Sequence, residues 1–600
     1  MNKIKNILAI SVLASFGLLQ SCSLEEHNPG GFTLENLAAN SPEGYESLIN
    51  QCYFGMERYY YGSMNWMSLS EGDSDLWTNN GNLSTSYTEW FWFFAGTSPN
   101  TTFTNECWNG AYDGIGACNI AIADAQYASS FYTEAELNAK VAEARFMRAV
   151  YYYHLVEQFG GVVMITEPQN TANYAPERTD PLTIYREIII PDLEYAVEWL
   201  PKGTDETTTT PTKKSALGFL AKACLQSRQY TDDFLARGLE VSRMLIADCE
   251  GGGSSYGAYM YPNVADVFAE ENNFNNKEAL WKHRWITGAS GHGSSNGNYR
   301  TNRNNECFLC SLSRFGARTD NQESRTSWES GGPEGYFMPT QHLLALYQSD
   351  NDGNLDPRFH AWFNTQWNAN QAYTWTEGDI TNYGKSNSIL GQEIGVGDLA
   401  IKFVMPQDED YATEIANKAI SNYVLIDYAD VYDDANKRIK MTYNGVESQL
   451  RYLFPSLNKH NSGQYYVVNA GSRRNGNLNG TFMMRMPEIY LIAAELDIYL
   501  NGGANAMSYI NKVRERAGAK LLTGTATIRT VLDERARELC GEYCRFYDLK
   551  RTGMFKDKTY LQETRPEVAD YFKPEYALRP ISTTYTAALS NGDTFQNPGY

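Results

Sequence analysis

The chain is 600 residues long and acidic, with 71 Asp and Glu against 50 Lys and Arg and a formal net charge of −21. That balance argues against nucleic acid and anionic membrane surfaces as partners and leans toward neutral or cationic ligands. The length is enough for more than one ordinary domain, and beyond the N-terminus no stretch approaches the ~20 apolar residues that a membrane-spanning helix needs.

The N-terminus has a basic start at Lys3 and Lys5, an apolar run from Ile7 to Leu19, and then Gln20-Ser21-Cys22. The run is too short for a stable span and ends at a cysteine instead of an Ala-x-Ala site, so it reads as a secretory signal. Leu19-Gln20-Ser21-Cys22 resembles the lipobox of bacterial lipoproteins. The resemblance implies cleavage before Cys22, acylation of Cys22, and a body that folds outside the cytoplasm, anchored to a membrane but not inserted through it. The alternative is an ordinary signal peptide with an unrelated cysteine. Ser23 to Gly30 form a polar, acidic stretch that resembles the surface-export signal of Bacteroidetes lipoproteins, which implies a body facing the outside of the cell. Loss of Lys3 and Lys5 with the signal takes the charge from −21 to −23. The expected organisation is a signal peptide over 1–21, a lipidated tether over 22–40, and a single domain over 41–600.

Glu89-Trp90-Phe91-Trp92-Phe93-Phe94 precedes Ser98-Pro99-Asn100, and an extended backbone there would put both indoles on one side. The same pattern fits a buried strand.

Regular helical patterning starts at Thr133, which forms a capping box with Glu136. Leu137, Val141, Ala144, Arg148, Tyr151 and Leu155 then recur at helical spacing until Gly160-Gly161 stops a long, mostly buried helix. His154-x-x-Glu157 lies inside it and reads as a packed face more than as a ligand pair. A second helix starts near Asp180-Pro181 and ends before Pro201, with Ile189, Leu193, Ala196, Val197 and Leu200 on one face. After a Thr-rich connector from Thr207 to Thr212, Ala216 to Cys224 form one stripe of a helical hairpin. Its partner, started by Thr231, Asp232 and Asp233, carries Phe234 to Ile246, and small residues at Ala221 and Gly238 allow a close approach. A further hairpin runs from Pro487 to Leu500, turns at Asn501-Gly502-Gly503 and returns through Tyr509, Ile510, Val513 and Ala517. Two-helix units of roughly 34 residues with small residues at the crossing are what tetratricopeptide repeats look like.

Between about 250 and 480 the sequence is rich in Gly, Asn, Ser and Tyr, the composition of functional loops or insertions. Trp281, Trp285, Tyr299, Arg300 and Trp328 lie here. A stacked aromatic ring beside an Asn or Arg donor suits a sugar, whose apolar face needs a flat partner and whose hydroxyls need fixed polar groups. On that ground Trp90, Trp92, Asn100, Trp281, Trp285, Tyr299, Arg300 and Trp328 are the candidate ligand contacts. The stretch from Arg284 to Arg325 is locally basic, which suits a uronate or sulfate but also an ordinary solvated face. Asp350-x-Asp352-Gly353-Asn354-x-Asp356 imitates a calcium loop with its glycine misplaced and its terminal glutamate missing.

Nine cysteines remain after Cys22, with no regular framework. Cys307-x-x-Cys310 and Cys540-x-x-x-Cys544 are best read as free thiols or disulfides, and no metal is assigned to them. No catalytic signature emerges either: His-Glu-x-x-His is missing, and abundant acidic residues do not single out a glycosidase pair.

Several segments resemble the SusD/RagB family: Ala142-Glu143-Ala144-Arg145-Phe146-Met147-Arg148-Ala149 through Phe159-Gly160-Gly161-Val162, and Met484-Arg485-Met486-Pro487-Glu488-Ile489-Tyr490-Leu491 with Ala493-Ala494-Glu495. Others are Ile510-Asn511-Lys512-Val513-Arg514, Asp533-Glu534-Arg535 to Arg545-Phe546-Tyr547-Asp548-Leu549-Lys550-Arg551, Leu578-Arg579-Pro580-Ile581, and Gln596-Asn597-Pro598-Gly599-Tyr600. The resemblance implies a mostly α fold: about four tetratricopeptide-like helix pairs, mainly in 104–250 and 484–553, with a large loop-rich variable region over about 251–483. It implies an outer-membrane surface lipoprotein that sits over a SusC-like TonB-dependent transporter and captures glycan, with no cofactor and no catalysis. In the family, sugar-contacting aromatics come from the loop before the first long helices and from the variable half. A peptide ligand, as in the RagB branch, and a surface glycosidase are the alternatives. Arg145, Arg148, Glu534, Arg535, Arg537, Glu538, Arg545 and Asp548 read as scaffold ion pairs and helix caps, not ligand contacts.

Overall fold

A computed structural model describes residues 34–61, 64–72, 74–78, 102–203, 209–283, 337–369, 372–443, 446–448, 450, 453–459, 465–467, 475–477, 480–570 and 572–600. The signal, the lipobox and Cys22 lie outside the described residues.

The architecture is mostly α and tetratricopeptide-like. Its principal helices are α1 (Pro42–Gln51), α2 (Thr102–Ala128), α3 (Glu134–Phe159), α4 (Ile190–Trp199), α5 (Lys213–Gln226), α6 (Leu235–Glu250), α7 (Met486–Asn501), α8 (Ala506–Arg516), α9 (Ile528–Leu539) and α10 (Arg545–Arg551). They pack as pairs, α1 with α2, α3 with α4, α5 with α6 and α7 with α8. The pairs stack in sequence through α2 on α3, α4 on α5 and α6 on α7, and α9 closes against α7.

Local chemistry sets the ends of these helices. Ser41 accepts from the Gly44 N–H with Pro42 in the first turn of α1, and Thr133 and Glu136 form the expected capping box of α3. Asp180 caps Pro181–Ile184, which runs through a π-helical turn, Tyr185–Ile189, into α4. Every residue of α3 from Val141 to Phe159 is buried except Arg145, because the helix lies between α2 and α4 and also meets the C-terminal segment. Between α5 and α6, a Cβ added at Gly238 would stand 2.7 Å from the Cys224 Cβ and 3.6 Å from the Ala221 carbonyl oxygen, so the small residues do permit a close crossing.

The first pair differs from the sequence reading. Leu34–Asn40 is helical and packs against α1 and α2, so the segment read as a tether to residue 40 already belongs to the folded body. The helical scaffold likewise begins before residue 104. Ser41-Pro42-Glu43 and the spacing of Tyr45, Leu48, Ile49 and Cys52 carry the signal for α1.

Among its described residues the variable region carries short ladders interleaved with short helices; the strands used below are β1 (Ala279–His283), β2 (Gln366–Asn368), β3 (Leu399–Val404), β4 (Val424–Asp427) and β5 (Thr481–Arg485). Strand β1 pairs antiparallel with β5. Strands β2, β3 and β4 form one sheet, with β3 and β4 parallel. The two-residue strand Trp77–Thr78 pairs with Met338–Pro339, Thr78 standing opposite Met338.

Candidate functional site

Trp90, Trp92 and Asn100, and likewise Trp285, Tyr299, Arg300 and Trp328, lie outside the described residues, as do Cys307 and Cys310. Trp281 is described, and its placement corrects the sequence reading: it stands in strand β1, not in a loop, and is only 4% exposed. Its indole N–H donates to the Thr209 carbonyl at 3.2 Å, and its ring meets Phe146 edge-on with centroids 4.9 Å apart. Phe219 and Tyr61 complete that aromatic cluster, so Trp281 is core.

What the structure does bring together are the roots of the two segments that hold the other candidates. Trp77–Thr78 ends just before residues 79–101, and Met338–Pro339 begins just after residues 284–336. The Thr78–Met338 register therefore joins both segments at one ladder, with Phe337 edge-on to Trp77 at 6.3 Å. The other end of 284–336 leaves β1 at His283, opposite Thr481 of β5.

Buried polar groups hold the first root. Glu71, in a π-helical turn (Ser68–Gly72), accepts from the Trp77 indole N–H at 3.0 Å and from the backbone N–H groups of Gly541, Cys544 and Arg545 at 3.3, 2.9 and 3.2 Å. Gly541 and Tyr543 have φ of 77° and 62°, and this left-handed turn aims the donors at the carboxylate. Burial pushes the Glu71 carboxyl up to about 7 against those four N–H bonds. Four residues on, burial acts to raise Asp75 as well, but the Arg545 guanidinium holds it well below the usual carboxylate range. Arg565 donates to the carbonyls of Ser74 and Trp77 at 2.6 and 2.7 Å, and Thr340 donates from its hydroxyl to the Asp75 carbonyl at 2.7 Å.

The second root rests on a larger ionic cluster. Arg485, fully buried at the end of β5, donates to both oxygens of Glu542 at 2.7 and 2.8 Å, to Glu278 at 3.0 Å and to Glu538 at 2.5 Å. Lys459 donates to Glu542 at 2.7 Å and lies 3.9 Å from the centre of the Trp362 ring. Arg358 joins Asp356, Glu534 and Glu538, and Arg516 joins Glu278 and Glu538. Burial would raise Glu538 and Glu542, but the surrounding cations bring both down to about 2. Such a cluster holds only when nearly every charge is paired, because each ion has lost its water.

The remaining motifs resolve as structure. Arg148 binds both oxygens of Asp192 at 2.8 and 3.0 Å, Arg145 stacks 4.3 Å over Tyr195, and Arg535 donates to Asp548 at 2.6 Å, in keeping with the scaffold reading. His154 Nε2 lies 3.2 Å from the Tyr61 hydroxyl and Nδ1 lies 3.0 Å from that of Tyr547, while Glu157 accepts from Tyr185 and Gln226, both at 2.9 Å. In the calcium-like loop, Asp350 turns to Arg537, Asp352 to Lys520 and Asp356 to Arg358, so the carboxylates diverge onto separate cations. Among the described residues no group of three or more His, Cys, Asp or Glu is placed to hold a metal. Cys540 and Cys544 are buried free thiols. Glu71, Asp75, Glu278, Lys459 and Glu542 were not singled out in the sequence. Nothing local in the sequence marks them, because the partners that hold them lie far along the chain.

Residues 277–600 match the model of the SusD family, and residues 37–225 match a SusD-like model described as "Starch-binding associating with outer membrane". SusD-like protein P2 of Formosa agariphila is 24% identical over 554 residues, spanning 89% of this chain and 88% of its own. A laminarin binding SusD-like protein superposes with a TM-score of 0.61 at 21% identity, covering 93% of this chain and all of that one (100%). A SusD homolog from Bacteroides thetaiotaomicron gives 0.67 at 18% identity, covering 96% and 100%. At these identities the structural likenesses show the fold. Among the described residues no helix is long and apolar enough to cross a membrane.

Proposed function

The chain belongs to the SusD/RagB family, and from that membership, together with the starch-binding, outer-membrane description of the model that matches residues 37–225, we propose a cell-surface glycan-binding lipoprotein. It is anchored through Cys22, faces outward, captures an oligosaccharide or polysaccharide, and delivers it to a partner SusC-like TonB-dependent transporter without cleaving it. The observation that carries the glycan part is the register of Thr78 with Met338. It roots at one place the segment holding Trp90, Trp92 and Asn100 and the segment holding Trp285, Tyr299, Arg300 and Trp328. Flat rings with neighbouring amide and guanidinium donors are the chemistry that holds a sugar. The laminarin-binding neighbour supports a glucan-type ligand as the first to try.

The test is calorimetric titration of the mature body lacking Cys22 against laminarin, starch and acidic polysaccharide fragments, with product analysis of each mixture. Saturable binding with no new reducing ends is expected. Silence across the panel would redirect the reading to peptide ligands, and cleavage would overturn it.

A further inference from the structure

The Leu34–Asn40 helix turns through Ser41 into α1 and packs against both α1 and α2. A Cβ added at Gly44 would lie 2.0 Å from the Leu37 carbonyl oxygen, so the two backbones touch there, and the chain followed backward from Asn40 runs along α1 toward Leu48. Helix α2 lies antiparallel to the same stretch: the Tyr45 hydroxyl donates to the Ala121 carbonyl at 2.9 Å and the Tyr60 hydroxyl to the Cys107 carbonyl at 2.8 Å. One turn beyond Gly44, on the same face of α1, the crease between these elements opens into a groove of about 480 Å³. Leu48 and Phe54 form one wall and Tyr112, Ala117 and Ile120 the other, with Gly116 between them, where an added Cβ would meet nothing within 4 Å. The groove therefore continues the line of the Leu34–Asn40 helix past its N-terminal end.

We propose that this groove is the docking site of the chain's own N-terminal segment, residues 28–33, with the Phe32 side chain as its anchor. Direction and reach both fit. Phe32 precedes Leu34 by two residues, about 7 Å of extended chain, and the groove runs about 9 Å along helical backbone from Leu48 to Phe54, so the ring arrives at its middle. The chemistry fits as well. Phe32 is the only Phe, Tyr or Trp between Cys22 and Leu34, and walls that carry an aromatic ring on each side suit an aromatic side chain. Gly30 and Gly31, just before it, give the backbone the freedom to leave the groove at a sharp angle. Docking at Phe32 shortens the free tether to residues 23–31, about 30 Å at full stretch. On the Cys22-anchored reading, the α1–α2 face is then the one held toward the lipid. The docking itself rests neither on that reading nor on the glycan one.

The experiment places the photoreactive aromatic residue p-benzoylphenylalanine at position 32 of the mature chain, purified with its N-terminus intact, irradiates it, and maps the cross-links by mass spectrometry. The expected product joins the peptide that carries position 32 to peptides of 48–54 or 112–120 within one molecule. Links to any other part of the chain, links to a second copy, or no link at all overturn the proposal. The reciprocal probe at Gln51, on the rim, should capture residues 23–33. Capture of a second copy there would make the groove a contact between molecules and overturn the proposal too. Gly116→Trp, which puts an indole into the open space of the groove, should abolish the cross-link from position 32 while the circular dichroism of the helices stays that of the parent. A cross-link that survives Gly116→Trp places Phe32 elsewhere.

Discussion

Arg545 grips both carboxylate oxygens of Asp75, each at 2.7 Å, and the Tyr560 hydroxyl donates to the same carboxylate at 2.5 Å. The pair is buried and spans most of the chain, tying the root of the 79–101 segment to α10. Removing only the cation strands a desolvated carboxylate, so Arg545→Ala should cost about 3–5 kcal/mol. Arg545→Leu combined with Asp75→Leu should cost clearly less than the single change, because no charge is left unpaired. Guanidinium unfolding of the three proteins checks the order. A double variant no more stable than Arg545→Ala would show that local packing, not the charge, is what fails.

Two helical glycines should respond in opposite ways to alanine. At Gly238 the new methyl group meets the Cys224 Cβ at 2.7 Å across the α5–α6 crossing, and overpacking of this kind costs about 1–3 kcal/mol. At Gly116 in α2 a Cβ would meet nothing within 4 Å, so Gly116→Ala should gain up to about 1 kcal/mol from helix propensity. Thermal melts that fall for Gly238→Ala and rise for Gly116→Ala would match the packing. Equal shifts would not.

The sequence shows the helical scaffold clearly where periodicity coincides with end signals, as at Thr133 with Glu136, Asp180-Pro181 and Gly160. It shows less where partners are remote. Trp281 reads as a loop residue because β1 is five residues long and its partner β5 lies about 200 residues away, and no local pattern reveals that pairing. The arginines of α9 and α10 are legible as ion-pair formers by their number and helical setting. Their partners are not, since Arg537 meets Asp350 and Arg545 meets Asp75 only in the folded chain. Helix α1 carries a clear cap at Ser41 but follows a polar stretch that reads as linker.

Stability should have two acid-dependent components of opposite sign. Glu538 and Glu542 titrate near 2 in the folded protein against about 4.5 when unfolded, so the unfolded chain takes up protons first as pH falls. Their contribution is fully present above about 4.5 and is lost between 4.5 and 2. Glu71, raised to about 7, works the other way: its contribution is present below about 4.5 and fades as pH rises to 7. Comparing wild type with Glu71→Gln by guanidinium unfolding from pH 4.5 to 8 isolates the second component. The stability difference between the two proteins should change across pH 4.5–7 and level off above it, and a constant difference would place the Glu71 carboxyl at its ordinary value.

The candidate tryptophans divide into a structural one, Trp281, and the remaining ligand candidates, and one experiment separates them. Trp281→Ala empties an aromatic cluster formed with Phe146, Phe219 and Tyr61, and should lower stability by about 3–5 kcal/mol. Trp90→Ala and Trp285→Ala, made separately, should each weaken glycan binding while leaving the melting temperature within a degree or two of wild type. The mechanism requires this contrast: a ring that stacks on a sugar contributes to the complex, whereas a core ring contributes to the free protein. Calorimetry and thermal melts on the same three variants decide it. If Trp285→Ala loses stability and keeps its affinity, Trp285 belongs with Trp281 in the interior, and the ligand contacts of the 284–336 segment must be sought at Tyr299, Arg300 and Trp328.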